Sequence, residues 1–144
     1  MNVKIALKTQ KLICLIVLSL YILFLLHLTI FRFNVHYAQR QLNLKLFVSL
    51  IHVGQNIGIR EFLRQFLGNI GWFVPLGFLL PMLLKRKSLF ITMAIGLLFS
   101  FFIETTQFVF YKGVAELDDF VLNALGTAIG YWLLAMIWPR ADGR

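Results

Sequence analysis

Apolar residues in this chain come in long runs and not at every second or every third and fourth position. Four runs stand out: residues 12–31 (LICLIVLSLYILFLLHLTIF), 66–84 (FLGNIGWFVPLGFLLPMLL), 89–111 (LFITMAIGLLFSFFIETTQFVFY) and 120–138 (FVLNALGTAIGYWLLAMIW). An α-helix rises about 1.5 Å per residue and bilayer hydrocarbon is about 30 Å thick, so about 20 apolar residues cross it. Each run therefore predicts a transmembrane helix. Pro75 and Pro81, with Gly68, Gly71 and Gly77, lie inside the second. In water they would argue against a helix. In a membrane neighbouring groups re-satisfy the freed carbonyls, and a kinked or broken helix is expected.

The stretch between the first two runs has a different pattern. Lys45, Ser49, His52 and Asn56 share one helical face, and Leu46, Leu50, Val53 and Ile57 share another. That predicts an amphipathic segment over 42–58, too short and polar to span, lying in the interface or re-entering partway. Alternation at Leu42, Leu44, Leu46 and Val48 also fits a short strand. The fold class that follows is an all-α integral membrane protein. It is one domain over 1–144, a bundle of four transmembrane helices plus this segment.

Composition supports the pattern. The chain is 60% hydrophobic, far above the share of about 45–50% usual in soluble domains. The net charge is +8, but basic residues flank the apolar runs and line no polar face, so no nucleic-acid partner is expected. The expected surroundings are the lipid bilayer, whose anionic headgroups suit such flanks. Lys4, Lys8 and Lys11 precede the first run as in a signal peptide. No small-residue cleavage site follows the long run, so a retained helix is expected. The lone Cys14 allows no internal disulfide.

The turn between the second and third runs is Lys85-Arg86-Lys87. Short basic loops stay in the cytoplasm. That placement puts Lys4, Lys8, Lys11, Arg140 and Arg144 there too, and leaves Arg32, Arg40, Lys45, Arg60, Arg64 and Lys112 outside. Both termini are expected in the cytoplasm.

Polar residues inside the runs carry the candidate chemistry. At about 100° per residue, Gly96, Ser100, Glu104, Gln107 and Tyr111 form one stripe. Asp119, Asn123, Gly126 and Gly130 form another on the fourth run. The simplest packing sets these stripes face to face, the glycines allowing close approach. Arg60, Arg64 and Asn69 enter the second run at the same level. Thus Arg60, Arg64, Asn69, Ser100, Glu104, Gln107, Asp118, Asp119 and Asn123 are expected to converge near the outer leaflet, with Pro75, Gly77, Gly126 and Gly130 serving helix packing. An isolated carboxylate in hydrocarbon costs about 2.5–3.5 kcal/mol on insertion scales. Glu104 is therefore expected to be paired, protonated or facing a wet cavity. Its structural alternative is a hydrogen-bonding clasp that sets helix register. Asp118 has the simpler reading of a helix N-terminal acid.

No GxSxG, HExxH, P-loop or paired cysteines appear, so no catalytic residue is assigned. Glu104, Asp118 and Asp119 offer oxygen ligands without a metal-specific spacing. No metal or cofactor is expected.

Three stretches together resemble the VanZ-like family of small bacterial membrane proteins. GNIGWFVPLGFLLP at 68–81 matches its Asn and Phe-x-Pro-x-Gly-Phe pattern through Asn69, Phe73, Pro75, Gly77 and Phe78. SFFIETTQF at 100–108 matches through Ser100, Glu104 and Gln107. ELDDFVLNALGTAIGY at 116–131 matches through Asp118, Asp119, Asn123, Gly126 and Gly130. NLKLF at 43–47 is similar to the family's Asn-Leu-x-Pro-Phe, with Leu46 where Pro is usual. Lys112-Gly113 stands where the family often has an Arg, and Glu116 where it often has Asp.

The resemblance implies a multi-pass protein of the bacterial cytoplasmic membrane. The namesake is linked to resistance to teicoplanin and related lipoglycopeptides. A non-enzymatic envelope protein is the expectation. It would bind a lipidated antibiotic, a lipid-linked cell-wall precursor or a membrane partner at the outer polar site. The competing expectations are a membrane enzyme acting on a lipid, with Glu104 and Asp119 as acid and base, and an ion-coupled transporter using Glu104.

Overall fold

The computed structural model of the chain describes residues 3–28, 37–84 and 88–138, with 3–7 described by backbone alone. Among these residues are five α-helices and two short strands. They are α1 (Val3–Leu26), β1 (Gln41–Asn43), α2 (Val48–Asn56), α3 (Ile59–Leu84), α4 (Leu89–Val109), β2 (Val114–Glu116) and α5 (Leu117–Ile137). Four helical segments are long and apolar enough to cross a membrane: Lys8–Leu26, Ile59–Leu84, Leu89–Val109 and Leu117–Ile137. Large apolar side chains such as Leu20, Leu23, Phe90, Leu98, Phe101 and Met136 point outward from them. Such a surface would not stay dispersed in water, and it suits lipid. The chain is an all-α multi-pass membrane protein.

The second spanning helix differs from the sequence expectation in two ways. The second spanning helix begins at Ile59 and not near 66, so Arg60, Glu61 and Arg64 sit in its first turns. Arg64 Nε donates to both Glu61 carboxylate oxygens, at 2.8 and 3.0 Å, and this pair lets a charged turn continue the apolar helix. The helix also runs unbroken through Pro75 and Pro81. Each proline lacks the N–H that would bond four residues back, at Gly71 and Gly77. The basic triplet 85–87, Arg140, Arg144, Arg32 and the end of the first run at 29–31 lie outside the described residues.

The 42–58 segment divides into β1, a tight turn and α2. The turn is made at Phe47, which takes the left-handed conformation (φ 59°). Leu50 and Val53 of α2 are buried, as the apolar face requires, whereas Leu46 and Ile57 of the same pattern are exposed. β1 pairs with β2 in parallel, Gln41 opposite Val114, Leu42 opposite Ala115 and Asn43 opposite Glu116.

Helix α5 nests between α3 and α4. A methyl built on Gly77 of α3 would lie 2.0 Å from the Thr127 carbonyl oxygen of α5, and one on Gly130 would lie 2.0 Å from that of Val74. Hydrogen in place of a side chain is therefore what permits this spacing. Leu18, Phe73, Leu76, Leu80 and Ile103, from α1, α3 and α4, form the apolar core.

Candidate functional site

The polar residues of the spans stack in tiers toward the end of the bundle that carries α2 and the strands. Deepest is Thr127, fully buried, whose side chain fills the space left by Gly96. Next, Asn123 Nδ2 of α5 donates to Ser100 Oγ of α4 at 2.9 Å, both residues buried. Above them Glu104 Oε2 accepts the Glu116 backbone N–H at 3.1 Å, and Asn69 of α3 donates to Asp119 of α5. At the top, Ser49 Oγ donates to Glu116 Oε1 at 2.9 Å and accepts from Asn43 Nδ2 at 2.7 Å.

Asp118 plays another part. It is 1% exposed, and its Oδ1 accepts the Phe47 N–H at 2.5 Å. This bond ties the left-handed turn before α2 to the start of α5. Its Oδ2 is buried with no hydrogen-bond partner among the described residues.

These tiers correct one expectation. The two helical stripes do not simply face each other. Asn123 and Thr127 meet α4, but Asp119, Gly126 and Gly130 meet α3. A single stripe serves both neighbours because α5 lies in the crevice between them.

Beside the upper tiers is a cavity of about 590 Å³. Of the residues singled out from sequence, Arg64, Asn69, Gln107 and Asp119 line it. Ser100, Glu104, Asp118 and Asn123 do not line it and lie beneath or beside it. Arg60 is exposed on the first turn of α3 and does not line it either. The cavity also takes in residues not assigned to a site from sequence, notably Ser49, His52, Lys112 and Glu116. The signal for two of them was present: Ser49 and His52 lie on the polar face of the amphipathic segment. Trp72, Val53 and Val48 give the same space apolar wall. Cationic, anionic, amide and apolar groups thus border one volume, within the size range of small-molecule sites.

Glu116 closes one side of this cavity. Its burial pushes the carboxyl above the ordinary carboxylate range, and the nearby Asp118 adds to that; the Ser49 hydroxyl acts the other way. Among the described residues, no group of three or more His, Cys, Asp and Glu side chains is placed to hold a metal ion.

The order of Asn69, Ser100, Glu104, Asp119 and Asn123 along the chain, and their meeting at one end of the bundle, invite comparison with known proteins. The profile of the VanZ/LLP1 family matches residues 18–138. The chain belongs to the VanZ/LLP1 family. Protein VanZ of Enterococcus faecium is 28% identical over 125 residues, covering 83% of this chain and 71% of that protein. No solved structure matches the chain. All the tiers described above fall within the part that the VanZ/LLP1 profile covers.

Proposed function

We propose that this VanZ-family protein is a non-enzymatic component of the bacterial cytoplasmic membrane, with both termini in the cytoplasm. It lowers sensitivity to teicoplanin-like glycopeptides and lipoglycopeptides. The cavity beside α2 opens on the extracytoplasmic side and holds the polar part of a lipidated drug, a lipid-linked cell-wall precursor or a membrane partner. The observation that carries this reading is the mixed lining of the cavity. Arg64, Lys112, Glu116 and Asp119 all line it, together with Asn69, Gln107 and Trp72. Such a set suits a ligand that has charges of both signs, amides and an apolar part, as a lipidated peptide has. Glu104 supports the site indirectly by fixing the Glu116 backbone.

The test is drug susceptibility of a Gram-positive host expressing the chain, with wild type, Asp119→Asn, Glu104→Gln and empty vector at matched membrane abundance. Wild type should protect selectively against lipidated glycopeptides, and the two variants should lose most of that protection. No protection by wild type overturns the resistance role. Protection undiminished in both variants overturns the site.

A further inference from the structure

Glu116 also borders a second concavity. It is a groove of about 330 Å³ between β1, α4 and the start of α5. Its walls are nearly all apolar, with Phe101 and Phe108 of α4, Leu42 of β1, Leu44 just after it, and Phe120 of α5. Glu104 lines it too, but its Oε2 is taken by the Glu116 N–H, so the groove presents almost no polar surface. Phe101, Leu42 and Leu44 are exposed, which means that the groove opens sideways to the surroundings of the bundle. For a spanning helix those surroundings are hydrocarbon.

The groove has a direction. Phe101 and Phe108 are separated by about two helical turns, or about 10 Å along α4. Phe101 lies toward the middle of the span and Phe108 toward its end. At the Phe108 end sits Arg40, exposed, just before β1. Its guanidinium carbon lies 5.7 Å from the Phe108 ring centroid and 5.3 Å from that of Tyr111. The rings hold the cation by their negative faces. Tyr111 is itself fixed, in the left-handed conformation (φ 58°), with its carbonyl accepting the Tyr37 N–H at 3.0 Å. A positive charge is thus parked at the interfacial end of a slot whose other end points to the bilayer centre.

We infer that this groove is a binding site for an anionic phospholipid, one acyl chain lying between Phe101 and Phe108 and the phosphate meeting Arg40. The polarity order of the site is that of a bilayer lipid in place: charge at the interface, apolar walls below. A zwitterionic lipid offers the same chain but carries a compensating cation, so the discrimination falls to Arg40. One cationic side chain near a membrane surface favours anionic lipid by about fivefold. The site requires neither a drug nor a cell-wall precursor, and so stands apart from the function proposed for the polar cavity.

Quenching of tryptophan by brominated lipid in reconstituted bilayers tests this on the full chain. Trp72, Trp132 and Trp138 are replaced by Phe, and Phe101→Trp supplies a reporter in the groove. A control protein keeps Trp132, exposed on α5, in place of that reporter. Vesicles contain phosphatidylcholine and phosphatidylglycerol in varied ratio, with one or the other brominated. The groove reporter should show about fivefold preference for phosphatidylglycerol, the control close to none. Arg40→Gln should bring the groove value down to the control, and Arg40→Lys should keep most of the preference. Equal preference at both positions overturns the inference, as does a preference that survives Arg40→Gln or is lost equally in Arg40→Lys. A groove reporter that no brominated lipid quenches overturns it as well.

Discussion

The Asn69 carboxamide on α3 donates to the Asp119 carboxylate on α5, across fifty positions of sequence, at the rim of the polar cavity. Asn69 thereby joins the two helices whose lower halves meet through glycines. Replacing Asn69 with Leu removes the donor and leaves a carboxylate facing apolar surface. Losing one partner of a charged hydrogen bond costs about 1–3 kcal/mol. Unfolding by denaturing detergent in mixed micelles should show that loss for Asn69→Leu. Asn69→Gln, which keeps a donor, should lose less.

The deeper Asn123–Ser100 bond is buried on both sides and neutral. Polar pairs between membrane helices contribute about 0.6 kcal/mol on average and up to about 1.7. A double-mutant cycle of Asn123→Ala and Ser100→Ala should return a coupling in that range. A coupling indistinguishable from zero would mean that the two side chains act separately.

Glycine substitutions in α3 should separate sharply by position. At Gly77 a methyl would lie 2.0 Å from the Thr127 backbone oxygen, which can move only if α5 moves. Gly77→Ala should destabilise the protein by about 1–3 kcal/mol. At Gly71 nothing lies within 4 Å of the added methyl. Gly71→Ala should be neutral or stabilising, since Ala forms helix more readily than Gly.

Asp118 holds the turn at Phe47, and the consequence can be read by hydrogen exchange. Asp118→Ala should speed exchange at the Phe47 amide and through the first turn of α2, with exchange in the middle of α5 little changed. It should also lower stability by about 1–3 kcal/mol, because the hydrogen bond from the Phe47 N–H to the buried Asp118 carboxylate is lost.

Glu116 predicts a pH dependence with a definite sign. Its value in the folded protein lies above the ordinary one, so folding favours the protonated form. The stabilising contribution is complete below the ordinary carboxylate value and is lost as pH rises through the raised one. Relative to Glu116→Gln, the wild type should therefore lose stability as pH rises above the ordinary carboxylate value, as measured by thermal unfolding in buffered detergent.

The four spans were readable from the sequence because apolar run length is a direct consequence of bilayer thickness. The start of α3 was not, since Arg60, Glu61 and Arg64 interrupt the hydropathy that a run detects, and only their pairing shows that the helix continues. The alternation at Leu42, Leu44, Leu46 and Val48 pointed to a strand near β1 but ran beyond it, and β2 escaped notice because three residues carry too little alternation to distinguish them from loop. Stripes on the third and fourth runs were legible as sets of residues. Their partners were not, because periodicity on a single helix says which face is polar and nothing of how many neighbours that face meets. Asp119 and Asn123 belong to one stripe and bond to different helices. The cavity followed the same rule: Ser49 and His52 were visible as a polar face, but what that face looks onto depends on the loop after α4.

The pairing of Gln41–Asn43 with Val114–Glu116 joins segments more than seventy residues apart, on either side of α3 and α4. A chain emerging from the ribosome makes β1 early and must hold it unpaired while two helices insert. The seam closes only after the third span is in place and the fourth is about to enter. The ceiling over the polar end is thus assembled late, and a nascent chain stopped between the end of α4 and Val114 carries three spans but neither the groove nor the cavity.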